Sequence, residues 1–177
     1  LTYPPTEAGP SSSKVVLPNK GVAPKEHRGS TIGVGLIGAS LFAKGTILPI
    51  LKSLKDCRLE AVASSDGLRA RFAGDKFGFK YCTSDHRQVL EDPTIDLVFI
   101  ITKNHSHAPL VTEAIKAGKH VFVEKPLALN LEQLQELVAA AKDQAKESAT
   151  QPLLMVGFNR RFSSLARWLK ERFATAS

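Results

Sequence analysis

A short apolar run that breaks at a glycine and continues as a helical pattern constrains this chain more than any other feature. Residues 32–37 read Ile-Gly-Val-Gly-Leu-Ile, and Gly38 follows them before apolar residues at helical spacing. A buried strand, a tight turn and a helix start form a phosphate-binding unit, because the N–H groups of a helix start attract anions. The pattern therefore predicts a strand over 32–37, a helix over 41–54 and an anion site between them.

Two registers of a glycine fingerprint compete in this stretch. Residues 33–38 match G-x-G-x-x-G letter for letter, but most of them lie within the predicted strand, too early to face a ligand. The alternative begins at Gly38, with Ser40 in the middle glycine position and Ala43 in the third. Only this register places the turn between strand and helix, so we adopt it. Its cost is the Cβ of Ser40, which lies where the backbone should approach a pyrophosphate. A turn without any ligand is the alternative interpretation.

Strand and helix patterns alternate along the rest of the chain. Further strands are predicted at 59–64, 80–82, 96–101, 120–123 and 153–156, and helices at 68–77, 85–91, 107–117, 131–146 and 164–173. Pro49 predicts a kink in the first helix, because proline removes one N–H from the ladder. The alternation predicts an α/β fold, a doubly wound parallel sheet of the Rossmann type with helices on both faces.

Residues 1–30 differ in composition from the rest. They hold five of the ten prolines, a run of three serines and little apolar surface, so we expect a linker or a disordered or extended arm. Within it, Lys14-Val15-Val16-Leu17 has the composition of an edge strand. We assign residues 31–177 to one dinucleotide-binding domain, because this length suits a single core.

Charge and composition exclude several classes of function. The formal net charge is +7 at pH 7, but Lys and Arg are spread along the chain and do not alternate with aromatic residues. We therefore expect no nucleic-acid partner. The sequence has neither an apolar run long enough for a membrane span nor a signal peptide, and its two cysteines lack metal-ligand spacing. His105 and His107 have no acidic or cysteine partner spaced to complete a metal site. These features predict a cytoplasmic protein without a membrane partner or a metal.

Polar residues collect immediately after the predicted strands. Ligands of such sheets bind beyond the carboxyl ends of the strands, so one molecule could gather contacts from all of these positions. The groups are Gly38–Phe42, Ser64–Asp66, Thr102–His107, Glu124–Pro126 and Gly157–Phe162.

The same residues carry a family resemblance. The order G-A-S-x-x-A, T-x-N-x-x-H, A-G-K-H-V-x-x-E-K-P and G-F-N-R-R-F, over residues 32–165, resembles the nucleotide-binding half of the Gfo/Idh/MocA oxidoreductases. Its most specific piece is the run from Ala117 to Pro126. The resemblance implies a domain that binds NAD or NADP. It also implies hydride transfer between the nicotinamide and a hydroxyl or carbonyl group of a sugar-like or cyclitol-like small-molecule substrate.

The resemblance further implies a role for each matching residue. Lys125 is the implied catalytic residue, since a cation beside the reacting carbon stabilises developing alkoxide character. The implied cofactor-binding residues are, from pyrophosphate to nicotinamide, Gly38, Ser40, Leu41, Phe42, Thr102, Asn104, His107, Glu124 and Lys125.

The end of the second predicted strand bears on the choice of cofactor. Ser64 and Ser65 lie where members of the family that prefer NAD often have an acid. With Arg69 or Arg71 nearby, these hydroxyls would tolerate a 2′-phosphate, so the sequence favours NADP, while Asp66 keeps NAD open.

Members of the family with two domains continue into a sheet domain that supplies an acid–base motif and most of the substrate pocket. We expect this C-terminal domain to be absent here, with fused domains upstream and downstream in a parent chain. The alternative function is a non-catalytic Rossmann module that senses a redox cofactor or serves assembly; Ser40 and the missing second domain favour it.

Overall fold

The computed structural model describes residues 13–18, 31–147 and 151–174. Its strands are β1 (Lys14–Val16), β2 (Ile32–Ile37), β3 (Cys57–Ala63), β4 (Tyr81–Thr83), β5 (Leu97–Ile100), β6 (His120–Glu124) and β7 (Leu154–Gly157). Its α-helices are α1 (Leu48–Ser53), α2 (Gly67–Phe77), α3 (Arg87–Leu90), α4 (His107–Lys116), α5 (Leu131–Glu147) and α6 (Ser164–Phe173).

The sheet contains seven strands in the order β1-β4-β3-β2-β5-β6-β7. The strand pairs β2–β3, β3–β4 and β6–β7 are parallel, and β1–β4 is antiparallel. The predicted α/β fold of the Rossmann type is therefore confirmed. The chain forms two compact units, and the first ends at Val98, within β5.

In the first unit, β2 and β3 supply the centre of the apolar core. Val34, Leu36 and Val62 are fully buried. The glycines of β2 are required by packing, because a Cβ at Gly33 would overlap the Thr94 carbonyl, and one at Gly35 would come within 2.5 Å of a methyl group of α3. The letter-for-letter glycine match therefore lies inside a strand, as expected, and does not form the turn.

The first helix begins at Leu41 but is not uniformly α-helical. Residues Ala43–Ile47 are π-helical, and the N–H of Leu48 donates to the carbonyl of Ala43, five residues back. Pro49 follows in the first turn of α1. Its ring has no N–H and excludes the carbonyl four residues earlier. The predicted disturbance thus takes the form of a widened helix ahead of the proline.

The predicted edge strand near the N-terminus is present as β1. Leu17 donates its N–H to the carbonyl of Lys80 at 2.9 Å. Its side chain is buried against Gly74 of α2, where a Cβ would leave no room for it. The Lys14 ammonium lies 3.8 Å from the centre of the Tyr81 ring. The rest of the predicted linker, 1–12 and 19–30, lies outside the described residues.

In the second unit, the rings of Phe99 and Phe122 stack at a centroid distance of 4.9 Å on β5 and β6. The start of α5 is capped by Asn130, whose Oδ1 accepts the N–H of Gln133 at 2.9 Å. Helix α6 exposes the apolar side chains of Leu165 and Trp168. Among the helices described, none has the length and apolar character needed to cross a bilayer.

Candidate functional site

In the first unit, the turn after β2 is made by a glycine in a left-handed conformation. Gly38 has φ of 103°, which only glycine adopts without strain. Its N–H still donates to the carbonyl of Ala63 at 2.8 Å, so the chain leaves the sheet immediately after this residue. The backbone therefore places the turn at Gly38, directly after the strand that ends at Ile37, which is where the adopted register needs it.

Ser40 caps the helix that follows this turn. Its Oγ accepts the N–H of Ala43 at 3.1 Å, and its carbonyl accepts the N–H of Lys44 at 3.1 Å. The N–H groups of Leu41 and Phe42, in the first helical turn, have no acceptor within the helix. Together with the positive end of the helix dipole, these two donors suit a phosphate group. Ser40 thus accepts the N–H of Ala43 and leaves the N–H groups of Leu41 and Phe42 for a ligand.

The acidic residue after β3 is already engaged on its own helix. Asp66 Oδ1 accepts the N–H of Arg69 at 3.2 Å, which caps α2, and Oδ2 lies 3.0 Å from Arg69 Nε. Arg71 in turn pairs with Asp75, with Nε and Oδ2 2.7 Å apart. Both arginines that the sequence places near a 2′-phosphate thus have a carboxylate partner, Asp66 at the N-cap of α2 and Asp75 within it.

The two serines between β3 and α2 differ in exposure. Ser64 is half-buried, and its Oγ accepts the N–H of Asp66 at 3.3 Å. Ser65 is exposed. Since neither side chain is acidic and the carboxylate of Asp66 faces Arg69, this strand end presents hydroxyl groups rather than a free carboxylate.

In the second unit, the segment after β5 is held by a serine that sequence reasoning missed. The Ser106 hydroxyl donates to Thr102 Oγ1 at 2.7 Å. Asn104 begins the 3-10 turn that leads into α4, and its side chain is exposed. Lys103, between the two residues, is extended, so helical spacing gives no signal for this pair in the sequence.

His107 occupies a place that differs from the implied one. Its side chain is 1% exposed, with Nδ1 2.8 Å from the carbonyl oxygen of Pro126 and Nε2 3.3 Å from that of Thr102. Carbonyl oxygens only accept, so a neutral ring donates to one of them, and the shorter distance favours Nδ1–H. A ring enclosed in this way has no surface left for a cofactor. His107 therefore joins the end of β5 to the turn after β6, instead of lining the cofactor.

The turn after β6 presents an exposed lysine. β6 ends at Glu124, and the peptide bond between Lys125 and Pro126 is cis. The Lys125 side chain is exposed, and its ammonium group has no ion-pair partner in the part of the chain that the structure describes. Glu124 Oε1 accepts a hydrogen bond from Asn159 Nδ2 at 3.1 Å. Sequence reasoning placed Asn159 in a polar group after the last strand but gave it no role.

A metal site is not supported by the histidines of this region. Across residues 13–18, 31–147 and 151–174, no three His, Cys, Asp or Glu side chains group closely enough to hold a metal ion. His105 is exposed, and both ring nitrogens of His107 face carbonyl oxygens.

The sequence matches, over residues 32–150, the oxidoreductase family with an NAD-binding Rossmann fold. The myo-inositol 2-dehydrogenase of Thermotoga maritima is 34% identical over 140 residues, which cover 79% of this chain and 38% of that protein. The scyllo-inositol 2-dehydrogenase (NAD(+)) of Bacillus subtilis is 34% identical over 139 residues, which cover 77% of this chain and 37% of that protein.

Solved structures are similar over most of the chain. KijD10, a 3-ketoreductase from Actinomadura kijaniata crystallised with NADP, has a TM-score of 0.71 and 28% identity, covering 81% of this chain and 44% of that one. The apo scyllo-inositol dehydrogenase of Lactobacillus casei has a TM-score of 0.74 and 26% identity, covering 83% and 42%. The chain spans less than half the length of each of these relatives. The family match covers more than half of the chain, so this protein belongs to the Gfo/Idh/MocA oxidoreductase family through its NAD-binding Rossmann domain.

Proposed function

We propose that this chain binds NADP in preference to NAD, as the cofactor-binding part of an oxidoreductase. The reaction is hydride transfer between the nicotinamide and a hydroxyl or carbonyl group of a sugar-like or cyclitol-like small molecule. The observation that carries the proposal is the helix start after Gly38, where the N–H groups of Leu41 and Phe42 suit a pyrophosphate. Membership of the family supports it, and two relatives are named as inositol dehydrogenases.

Each unit by itself contains proposed cofactor-binding residues. In the first unit, Gly38, Ser40, Leu41 and Phe42 hold the pyrophosphate. Ser40 accepts from Ala43 and retains its own O–H for donation to a phosphate oxygen. In the second unit, Thr102 and Asn104 lie along the nicotinamide ribose, with Glu124 and Lys125 at the nicotinamide end.

Lys125 is the residue we assign to catalysis. A bound nicotinamide cofactor would supply or accept the hydride. The ammonium group of Lys125 is exposed and has no ion-pair partner among the described residues. It is therefore available to stabilise negative charge on the reacting oxygen of the substrate and to exchange a proton with it. The chain spans 38% and 37% of two inositol dehydrogenases, so we propose that the substrate pocket requires residues beyond this chain.

The preference for NADP rests on the end of β3. A carboxylate there would accept hydrogen bonds from the ribose hydroxyls of NAD and repel the 2′-phosphate of NADP. Here the side chains are Ser64 and Ser65, and the carboxylate of Asp66 is engaged by the backbone and the guanidinium of Arg69. Arg69 leaves part of its guanidinium exposed for a phosphate.

Parallel titrations of the chain with NADPH and NADH, followed by nicotinamide fluorescence, test the proposal. We expect saturable binding of both and a lower Kd for NADPH. Arg69→Ala should narrow the difference in Kd between NADPH and NADH. Lys76→Ala, which removes an exposed cation from the other end of α2, should preserve that difference. No fluorescence change at millimolar cofactor would refute cofactor binding, and a lower Kd for NADH would refute the preference.

A non-catalytic module is the second proposal, favoured by the donor that Ser40 removes from the helix start. It predicts cofactor binding without hydride exchange, even in a longer parent protein. Exchange of deuterium from labelled NADPH into a carbonyl compound by that protein would exclude it.

A further inference from the structure

The turn formed by Glu124, Lys125 and Pro126, here named the lysine turn, has an exposed cation at its centre. The Lys125 ammonium has no ion pair among the described residues that would fix its direction. Its placement must therefore come from the residues on either side. On one side, the carbonyl of Pro126 is held by His107 Nδ1 at 2.8 Å.

On the other side, the side chain of Glu124 is held by the segment that follows β7. Asn159 Nδ2 donates to Glu124 Oε1 at 3.1 Å. A carboxylate only accepts, so the amide nitrogen, not the amide oxygen, must face it. The bond links two positions 35 residues apart in the chain.

Gly157 provides the space into which the Glu124 carboxylate fits. A Cβ at this position would come within 2.8 Å of Glu124 Oε1 and 2.9 Å of Phe122 Cζ. The pairing of β6 with β7 places Glu124 directly beside Gly157 in the sheet. Any larger residue at position 157 would therefore displace the carboxylate that Asn159 binds.

We propose that Asn159 and Gly157 are positioning residues, which fix the Glu124 carboxylate and thereby orient the lysine turn toward the nicotinamide end of the cofactor. Neither side chain needs to touch the cofactor for this role. The inference rests on the proposed function and deepens it, because it names what holds the proposed catalytic lysine in place. Without the amide donor, the half-buried carboxylate is able to rotate and to pair with the neighbouring ammonium group, which would withdraw Lys125 from the substrate.

The test compares a ligand that carries the nicotinamide with one that lacks it. Calorimetric titrations give the Kd of NADPH and of 2′-phospho-ADP-ribose, which lacks the nicotinamide, for the unmodified chain and for Asn159→Ala. A charge-assisted hydrogen bond of this kind predicts a loss of roughly threefold to tenfold in NADPH affinity. The affinity for the fragment should change by less than about twofold, because the fragment binds away from the lysine turn. Gly157→Ala keeps the side chain of Asn159, and its Cβ displaces the Glu124 carboxylate and meets the Phe122 ring; it should give the same pattern of affinities.

Asn130→Ala is the matched control, since it also removes an exposed side-chain amide, but one whose oxygen accepts the N–H of Gln133 and caps α5. It should leave both affinities unchanged. Equal weakening of both ligands by Asn159→Ala would indicate a general structural role and overturn the inference, as would an unchanged NADPH affinity. Failure of the unmodified chain to bind either ligand would instead refute the proposed function itself, and the inference with it.

Discussion

Replacing His107 with phenylalanine tests whether this buried ring holds the lysine turn. Phenylalanine fills a similar volume, so the change removes the hydrogen bond to Pro126 without opening a large cavity. The carbonyl of Pro126 loses a partner at 2.8 Å, and that of Thr102 loses a longer contact at 3.3 Å. A buried polar group left without a partner costs about 1–3 kcal/mol.

Since the neutral ring donates to one carbonyl only, we expect His107→Phe to lower the free energy of unfolding by about 1–3 kcal/mol. Domains of this kind are stable by about 5–15 kcal/mol, so the variant should still fold. Urea unfolding followed by circular dichroism measures the loss. With an unchanged slope of about 2 kcal/mol per molar, the urea concentration at the midpoint should fall by about 0.5–1.5 M.

His105→Phe is the matched control, because His105 lies two positions earlier and is exposed. Its effect should stay within about 0.5 kcal/mol. If His107→Phe lost less than about 1 kcal/mol, the two carbonyls would not depend on the imidazole, and the assignment of His107 as a link between β5 and the lysine turn would be wrong.

Three further predictions concern the first unit. Ser40→Ala should lower the melting temperature by about 2–4 °C through loss of the helix cap, and Ser40→Gly by a small part of that; calorimetry giving equal losses would contradict the cap. Gly35→Ala should cost about 1–3 kcal/mol or more, because its Cβ meets a packed methyl group at 2.5 Å; an unchanged urea midpoint would show that β2 can shift. Burial, followed by the hydrogen bond to Asp92, raises the pKa of Tyr81. The folded state then keeps this proton longer than the unfolded chain, so stability should fall as pH rises above about 10. Tyr81→Phe should flatten that fall in urea unfolding between about pH 9 and 11, and equal slopes would argue against it.

The alternation of strands and helices could be predicted because the spacing of apolar residues differs between them. The strand Ile32–Ile37 and the helix Ser164–Phe173 have the bounds that the sequence predicts. β3 begins two residues before the predicted start, because Cys57 and Arg58 continue the ladder with β2 although Arg58 has no apolar side chain to signal it. Backbone pairing extends a strand without any change in hydrophobic pattern.

The turn in the candidate site could be predicted from the sequence, because its conformation depends on a single residue. A left-handed backbone conformation favours glycine, and Gly38 therefore indicates where the turn lies. The environment of His107 depends on Pro126, 19 residues away. The sequence does not distinguish a histidine that faces a ligand from one that faces a carbonyl. The π-helical turn before Pro49 was also missed, because proline indicates a disturbance but not which hydrogen-bond pattern absorbs it.

The labelling rate of Cys82 can report how often β1 separates from β4. β1 lies along β4, with Val15 opposite Cys82, and this thiol is only 3% exposed. Burial raises the pKa of the Cys82 thiol, which further slows its reaction with alkylating reagents. Cys57 is more accessible and serves as an internal reference. The ratio of the Cys82 labelling rate to that of Cys57, measured by mass spectrometry, would therefore report how often this edge of the sheet opens.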